Sequence, residues 1–343
     1  MKTFIIAEAG VNHNGDPRLA FELVDTAARC GADAVKFQTF TAEKLVVPGA
    51  EKAEYQKQAT GSGDQYAMLK ALEISEPLHR ELFERCAEVG IEFMSTPFDN
   101  DAADFLLSLG MKRIKVPSGE ITNEPFITFL ASKGVPLIVS TGMASMDEIQ
   151  RAVLVIERAR IAAGFTEPLT EVLTILHCTS NYPADYSDVN LRAMQSIADA
   201  TGLPVGYSDH TMGLAVSTAA VAMGASVIEK HFTLDRSMSG PDHQASLSPE
   251  ELTAMVRQIR DVEQALGSSI KQPTASELPV RLLVRRSVTV ARRIAAGSTV
   301  CEADLVLLRP GTGIAPSQME GIIGKRAARD IEIGTILQWQ DIQ

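Results

Sequence analysis

Lysines and hydroxyl-bearing residues recur in short motifs that each follow a β-branched run. Lys36 lies in AVKFQTF, Lys115 in IKVPSGE and Lys230 in IEKHFTLD. Ammonium groups neutralise phosphate and carboxylate charge, and Ser and Thr hydroxyls donate hydrogen bonds to the same oxygens. No run of aromatic side chains that could stack on a base accompanies them. The pattern predicts a site for a small molecule that carries phosphate and carboxylate groups.

The same lysines allow a covalent interpretation. A desolvated lysine can form a Schiff base with a carbonyl substrate, as in aldolases. The residue types favour anion binding, but the sequence leaves both roles open for Lys36, Lys115 and Lys230.

Two histidines in neighbouring motifs predict a metal site. His210 lies in SDHT and His231 in EKHFTLD. Adjacent strands lie about 5 Å apart, so both imidazoles can reach one cation. Two imidazoles leave positions open for water and substrate, which suits Mn²⁺ or a similar divalent ion better than structural zinc. His13 and His177 are expected either to line the site or to support it, and His79 to be structural.

The elements that position these residues alternate between short strands and longer helical segments. We predict eight strands, at Thr3–Ala7, Ala34–Gln38, Ile91–Ser95, Ile114–Val116, Leu137–Ser140, Val172–His177, Val205–Tyr207 and Val227–Lys230. Eight strand and helix pairs in roughly 265 residues match a (β/α)8 barrel. No GxGxxG follows the first strand, which disfavours a doubly wound dinucleotide-binding sheet. The predicted class is therefore α/β, with a TIM barrel over residues 1–267.

Polar side chains gather at the carboxyl ends of these strands, where barrels of this kind carry their active sites. They include Glu8, Lys36, Gln38, Ser95, Thr96, Lys115, Ser118, Glu120, Ser140, Thr141, His177, Thr179, Ser180, Asn181, Tyr182, Ser208, Asp209, His210, Lys230 and His231. The turns that precede the strands hold mostly glycine, as at Gly90 and Gly202. Because the polarity is one-sided, we predict the active site at this end.

The barrel pattern ends after Leu266. We predict a linker over residues 268–284 and a small β-rich domain over residues 285–343. Within that domain ARRIAAGSTVCEADL aligns with ARDIEIGTILQWQDI, glycine on glycine at Gly297 and Gly334. This internal echo predicts two pseudo-symmetric strand and turn units. So short a module cannot build a large core, and we expect it to pack on a barrel, its own or a partner's.

Composition bounds the partners. The net charge of −11 argues against nucleic acid and anionic membranes. Four scattered cysteines without a CxxC pair predict reduced thiols in a cytoplasmic protein, with Cys178 inert. The terminus MKTFIIAEAG has too short an apolar run for a signal peptide, and no stretch has the length of a membrane span.

Nine segments resemble, in order, the signature motifs of the sialic acid synthase family. They are IIAEAGVNHNGD, AVKFQTF, STPFD, KVPSGEITN, STGMAS, LHCTSNYPA, GYSDHT, IEKHFTLD and SGPDH. RPGTGI and GKRAARDI are similar to its C-terminal antifreeze-like (SAF) domain. The resemblance covers nearly the whole chain.

This resemblance implies a metal-dependent condensation of phosphoenolpyruvate with an open-chain N-acylated hexosamine such as N-acetylmannosamine. The products are a nonulosonic acid and phosphate, released by C–O cleavage. A divalent metal, Mn²⁺ above Mg²⁺ or Co²⁺, is the implied cofactor, with His210 and His231 as ligands. A lysine Schiff-base aldolase becomes the weaker alternative.

The resemblance also implies roles for individual residues. Those expected to hold phosphoenolpyruvate are Lys36, Thr96, Lys115, Ser118, Ser140 and Ser208, with Ser180 or Asn181 reaching the phosphate. Glu8, Gln38, Tyr182 and Asp242 are expected to face the sugar, and Glu8, Asp242 and Lys115 to act in catalysis. Arg309 matches an arginine that reaches into the partner's barrel, which implies a domain-swapped homodimer.

The exact sugar stays open. SGPDHQASL retains the glycine-proline-aspartate segment of the neuraminate and legionaminate branches. N-acetylmannosamine and 2,4-diacetamido-2,4,6-trideoxymannose are therefore both expected candidates. The insertion Thr41–Leu72 is expected to choose between them.

Overall fold

The computed structural model describes residues 2–343 except 53–56, 58, 59 and 62. The chain divides into two compact units, Met1–Gly267 and Ser268–Gln343. Part of the insertion Thr41–Leu72 lies outside the described residues.

Eight parallel strands form the sheet of the first unit. They are β1 Phe4–Gly10, β2 Ala34–Thr39, β3 Glu92–Pro97, β4 Ile114–Val116, β5 Leu137–Ser140, β6 Leu173–Cys178, β7 Val205–Asp209 and β8 Val227–His231. Their order is β3-β2-β1-β8-β7-β6-β5-β4, and the end strands β3 and β4 lie side by side. The sheet is thus wrapped into a nearly closed barrel, which confirms the predicted fold class.

Helices surround the strands. They are α1 Pro17–Arg29, α2 Ala42–Leu45, α3 Gln65–Lys70, α4 Glu76–Val89, α5 Asn100–Leu109, α6 Glu124–Ala131, α7 Met146–Ala162, α8 Leu169–Val172, α9 Ala193–Thr201, α10 Ala215–Ala222 and α11 Pro249–Leu266. Ser248 caps α11 in a capping box with Glu251. Gly90 and Gly202 end α4 and α9 in left-handed conformations that glycine adopts without strain.

The inner face of the barrel is apolar at one level and polar at the next. Six buried side chains from six strands form one cluster, namely Ile6, Ala34, Met94, Ile138, Leu176 and Val227. Side chains two positions further along a strand point to the same face. Those positions hold Glu8, Lys36, Thr96, Ser140, Cys178 and Glu229. An apolar plug therefore supports a polar layer at the carboxyl ends.

The second unit is built from two similar halves. Helix α12, Glu277–Val284, lies inside the stretch predicted as a linker. Strands β9 Ser287–Val290 and β10 Leu305–Leu308 are antiparallel. Gly297 and Gly334 occupy matching left-handed turns with φ of 76° and 81°.

The echo seen in the sequence is repeated in the side chains of this unit. Arg292 pairs with Asp304 in the first half, and Arg329 with Asp341 in the second. In each half the aspartate also accepts a hydrogen bond from the backbone N–H three residues before it. The predicted pseudo-symmetry is present in this unit. No helix among the described residues combines the length and apolarity that a bilayer span requires.

Candidate active site

A cavity of about 250 Å³ opens at the carboxyl ends of the strands. Its lining comprises Glu8, Lys36, Gln38, Thr96, Phe98, Lys115, Pro117, Ser118, Gly119, Ser140, Met143, Ser180, Tyr182, Ser208, His210, Glu229 and His231. Most residues singled out in the sequence therefore share one cavity. Both predicted substrate lysines and both predicted metal-binding histidines are among them.

A buried charge cluster forms the floor. Lys36 Nζ lies 2.8 Å from Glu8 Oε2 and 3.6 Å from Glu229 Oε2, and it donates a hydrogen bond of 2.8 Å to Thr96. Lys115 Nζ lies 3.5 Å from Glu229 Oε1. Two ammonium groups thus face two carboxylates, all of them buried.

The pKa values of the two carboxylates are shifted in opposite directions. Burial raises the pKa of Glu8 against the opposing charge of Lys36, and the nearby charge of Glu229 raises it further. Burial would also raise the pKa of Glu229, but the ammonium groups of Lys115 and Lys36 outweigh it and hold that pKa below its usual range. When the pKa values of two neighbouring carboxylates are shifted apart in this way, one carboxylate can carry a proton while the other stays ionised.

The lysines differ as well. Burial alone would lower the pKa of Lys36, but Glu229 and Glu8 outweigh it and raise that pKa, so Lys36 is a permanent cation. Burial lowers the pKa of Lys115, and Glu229 offsets only part of the effect.

Glu229 is a site residue that was not predicted from the sequence. It accepts a hydrogen bond of 3.0 Å from Ser208 and neutralises both lysines. Lys230, which was predicted at this end of the barrel, points to the other face of β8 and pairs with Asp209 at 2.9 Å. Strand alternation contains the signal, because Glu229 and His231 are two residues apart and share a face while Lys230 does not.

The hydroxyl groups of Ser118 and Ser180 lie next to Gly142. The backbone N–H of Gly142 donates to Ser118 Oγ at 3.0 Å. A Cβ at Gly142 would lie 2.1 Å from Ser180 Oγ and 3.0 Å from Ser118 Oγ, so only glycine lets these hydroxyls approach. Ser140 Oγ is buried without a hydrogen-bond partner among the described residues. These hydroxyls suit the oxygens of a phosphate or carboxylate.

Each of the two histidines has one ring nitrogen whose lone pair could bind a cation, and that of His210, Nε2, lies 3.4 Å from Ser208 Oγ. Their ring centroids are 5.7 Å apart. His210 Nδ1 lies 2.6 Å from the backbone oxygen of Thr179, which makes Nδ1 the donor and leaves Nε2 as a lone-pair atom. His231 Nδ1 is buried without a hydrogen-bond partner among the described residues.

Both imidazoles are neutral, as metal ligands must be. Burial lowers the pKa of His210 to about 4 and holds the pKa of His231 well below its usual range. No group of three or more His, Cys, Asp or Glu side chains in the described part of the chain has metal-binding geometry. The protein can thus supply two imidazoles, and the donor set fits an open divalent-metal site.

Tyr182 and Asp242 flank this pair. The Tyr182 ring lies 4.0 Å from that of His210 and 5.6 Å from that of His231, measured between centroids. Asp242 is outside the cavity lining, but its Oδ2 is 3.8 Å from His231 Nδ1. Burial raises the pKa of Asp242 to about 6.

Two further expected ligands are not part of the cavity lining. Asn181 is exposed, and its Oδ1 accepts a hydrogen bond from the Tyr182 N–H at 3.2 Å; the cavity lining includes Ser180 but not Asn181. Arg309 is an exposed residue of the second unit.

Three other histidines support the fold. His79 bonds Thr39 at 2.7 Å and the Ser75 carbonyl at 2.9 Å, as expected of a structural residue. His177 Nε2 bonds the Val189 carbonyl at 2.7 Å, and His13 Nδ1 accepts from the Gly15 N–H at 3.0 Å. Neither lines the cavity. All four cysteines are free, and buried Cys178 contacts Ser118 at 3.2 Å.

Comparison with known proteins follows the same division of the chain. The NeuB family model matches residues 23–271 and the SAF domain model matches residues 285–343. N,N'-diacetyllegionaminic acid synthase of Legionella pneumophila is 56% identical over 100% of this chain and 95% of its own length. The enzyme of the same name from Campylobacter jejuni is 46% identical over 96% of this chain and 97% of its own.

A solved structure extends the comparison to three dimensions. N-acetylneuraminic acid synthetase from Leptospira borgpetersenii, in complex with citrate, has a TM-score of 0.71 and 34% identity, covering 82% of this chain and 90% of that one. Sequence and structure therefore agree: the chain belongs to the NeuB family.

Proposed function

We propose that this protein is a transferase that condenses phosphoenolpyruvate with an open-chain N-acylated hexosamine to give a nonulosonic acid and phosphate. The observation that carries the proposal is a single cavity lined by two buried lysines, a group of hydroxyls and two neutral imidazoles. The lysines and hydroxyls suit a small dianion or trianion, and the imidazoles suit a divalent cation.

Phosphoenolpyruvate is assigned to the lysines and hydroxyls of the cavity. Lys36 is held as a cation between Glu8 and Glu229, and Lys115 adds a second ammonium group. Ser118, Ser140 and Ser180 bring hydroxyls to the same cavity. Charge-assisted hydrogen bonds of this kind are the strong ones, and burial strengthens them further.

His210 and His231 are assigned as ligands of a divalent metal, with Mn²⁺ the expected ion. A bound divalent ion would supply Lewis acidity at the aldehyde oxygen of the sugar. Tyr182 packs against both imidazoles and limits how their rings can turn.

The covalent change joins C3 of phosphoenolpyruvate to the aldehyde carbon. Water adds at C2, and the bond between C2 and the phosphate-bearing oxygen breaks. The added oxygen loses both of its protons and becomes the C2 carbonyl, and phosphate leaves with one of them. The aldehyde oxygen takes a proton and becomes a hydroxyl. Glu8 is the group best suited to hold that proton, because burial raises its pKa, whereas Glu229 stays ionised.

The relatives favour one sugar. Two enzymes at 56% and 46% identity are named N,N'-diacetyllegionaminic acid synthases, which supports 2,4-diacetamido-2,4,6-trideoxymannose as substrate. The structural relative at 34% identity is named an N-acetylneuraminic acid synthetase, which supports N-acetylmannosamine as the second candidate.

The test is phosphate release by the purified full chain with phosphoenolpyruvate, Mn²⁺ and each sugar in turn. The expected result is turnover of at least one sugar, with the higher kcat/KM for the diacetamido sugar. Absence of phosphate release with both would contradict the proposal, and a higher kcat/KM for N-acetylmannosamine would reverse the choice of sugar.

A lysine aldolase is the second candidate reaction, favoured by the lowered pKa of buried Lys115. It predicts that borohydride traps a covalent adduct between pyruvate and the protein. We expect no adduct in mass spectra, because Glu229 lies 3.5 Å from Lys115 Nζ and stabilises its charged form. An adduct at Lys115 would establish the imine route instead.

We further propose that the protein works as a domain-swapped homodimer in which Arg309 serves the partner's site. Helix α12 supports association, because its apolar side chains Leu278, Val280, Leu282 and Leu283 are each at least half exposed. Apolar patches of this kind mark protein interfaces. The expected mass by light scattering is that of two chains.

A further inference from the structure

Two loops meet behind the metal-site histidines. One follows β1 and carries Asn12 and Asn14 from the motif VNHNGD, and the other carries Gly240, Asp242 and His243 from SGPDH. His243 is fully buried and does not line the cavity. Nothing in the proposed chemistry uses its imidazole.

His243 bridges the two loops. Its Nδ1 lies 2.7 Å from Thr233 Oγ1, and its Nε2 lies 3.1 Å from Asn14 Oδ1. Because Oδ1 is an acceptor, Nε2 carries the proton and Nδ1 accepts from the threonine hydroxyl. Both ring nitrogens are thus used.

Gly240 packs closely against the contact between His243 and Asn14. A Cβ at Gly240 would lie 2.6 Å from His243 Cδ2 and 2.7 Å from Asn14 Oδ1. Asn14 has φ of 52°, a left-handed conformation that asparagine tolerates better than most residues. Its loop is closed by backbone hydrogen bonds from Asn12 to Ala9 and from Asn14 to Val11.

A second set of contacts fixes the neighbouring residue. The Ser246 hydroxyl donates to the backbone oxygen of Asp242 at 2.6 Å. Asn12 Nδ2 in turn donates to Ser246 Oγ at 3.0 Å and to the Phe232 carbonyl at 2.8 Å. The backbone of Asp242 is therefore held directly by Ser246 and, through its neighbour His243, by Asn14, while its carboxylate faces His231.

We propose that His243 and Asn14 form a latch that positions the Asp242 carboxylate against His231, and that this latch sets the affinity of the site for its metal and sugar. The residues act through Asp242 and His231, so they are positioning residues. The proposal rests on the proposed function for the sugar and stands without it for the metal.

The test compares variants that break or keep the latch. His243→Ala removes both contacts. Asn14→Gly removes the acceptor while keeping the left-handed backbone free of strain, and Asn14→Asp keeps an acceptor oxygen. His79→Asn is the matched control, because His79 is equally buried and makes two hydrogen bonds outside this loop pair.

The expected change is a 10- to 100-fold weaker Kd for Mn²⁺ in His243→Ala and Asn14→Gly, roughly the range for residues that orient metal ligands. KM for the sugar should rise with it, whereas KM for phosphoenolpyruvate stays unchanged. Asn14→Asp should retain most of the Mn²⁺ affinity, and the double variant should be no weaker than the weaker single variant. His79→Asn should lose thermal stability without a change in Kd.

Calorimetric titration with Mn²⁺ alone separates the outcomes. Unchanged Mn²⁺ affinity in folded His243→Ala and Asn14→Gly would overturn the latch even if the enzyme turns over both sugars. Weakened affinity in an enzyme that turns over neither sugar would retain the latch and reject the proposed function. Equal loss of affinity in His79→Asn would reduce His243 to a structural role.

Discussion

Glu8 and Glu229 both lie next to the ammonium group of Lys36, and only Glu229 has a second ammonium group, that of Lys115, within 4 Å. Lys115 lies near Glu229 at 3.5 Å and tips the balance toward its ionised form. The floor of the cavity therefore holds two ammonium groups next to two carboxylates, of which Glu229 is ionised, before any ligand arrives. An incoming anion must compete with these carboxylates, which favours ligands that carry several negative charges.

The histidine pair gives the first prediction at this scale. His210→Ala or His231→Ala should weaken Mn²⁺ binding by at least about 100-fold, beyond the usual cost of losing an outer residue, because each removes a ligand itself. Calorimetric titration measures the Kd. His177→Ala removes an imidazole outside the cavity and should bind Mn²⁺ normally. Wild-type affinity in both ligand variants would contradict the metal assignment.

Gly142 gives a second residue-scale prediction. Gly142→Ala should raise KM for phosphoenolpyruvate, because its Cβ would displace Ser180 and Ser118 from the cavity wall. An increase of about 10-fold corresponds to one lost hydrogen bond to a charged group. Steady-state kinetics provides the measurement. Gly321→Ala, where a Cβ meets nothing within 4 Å, is the control, and an unchanged KM in Gly142→Ala would argue against a phosphate role for these serines.

At the scale of elements, one aspartate connects strand β1 to the start of β2 and to the last helix of the barrel, α11. Asp33, just before β2, accepts a hydrogen bond of 2.9 Å from the Ile5 N–H and pairs with Arg260 of α11. Lys2 adds a further ion pair at 2.6 Å. The first strand, the second strand and the last helix of the barrel therefore meet at one carboxylate.

The third prediction follows from this tie. Burial works to raise the pKa of Asp33, but Lys2, the Ile5 N–H and Arg260 outweigh it and lower the pKa. The ionised form thus stabilises the fold above the unfolded pKa near 3.8, and the stabilisation is lost as pH falls through the lower folded value. Asp33→Asn should lower the free energy of unfolding at pH 7 by about 1–3 kcal/mol.

Urea unfolding at pH 7 and at successively lower pH measures this effect. The difference between wild type and Asp33→Asn should shrink as the acid range is entered. Asp101→Asn removes a highly exposed partner of Lys44 and should cost less than about 1 kcal/mol. A pH-independent difference would show that packing rather than charge accounts for the role of Asp33.

At the scale of the whole molecule, the proposed homodimer places the second unit of one chain at the barrel of its partner. The apolar side chains of α12 and the exposed position of Arg309 support the proposed exchange between subunits. Symmetric homodimers allow a direct test, because two defects can be placed in different subunits.

The fourth prediction uses complementation. Arg309→Ala and His210→Ala should each be nearly inactive alone. Co-expressed, random dimers should recover about a quarter of wild-type sites, since half are mixed and each mixed dimer holds one intact site. Phosphate release by the co-expressed mixture is the measurement. No recovery from a verified mixed dimer would mean that Arg309 acts within its own chain, and full activity of Arg309→Ala would mean that it is dispensable.

The sequence by itself determined the barrel and most of the residues that line the cavity at its active end. Apolar runs such as LIVS in β5 are local signals, and polar residues after them mark the carboxyl ends wherever the strands close up. The pseudo-symmetry of the second unit could also be predicted from the sequence, because the aligned glycines Gly297 and Gly334 occupy matching turns.

Only the tertiary structure decided which side chains face inward and what they touch. Lys230 and Glu229 are adjacent in sequence but point to opposite faces of β8. Lys230 pairs with Asp209, whereas Glu229 pairs with Lys36 and Lys115. His243 and Asn14 are 229 residues apart, and barrel closure alone brings them together. Spacing along a chain carries periodicity, but contacts between distant segments depend on how strands pair, and that is a property of the closed sheet.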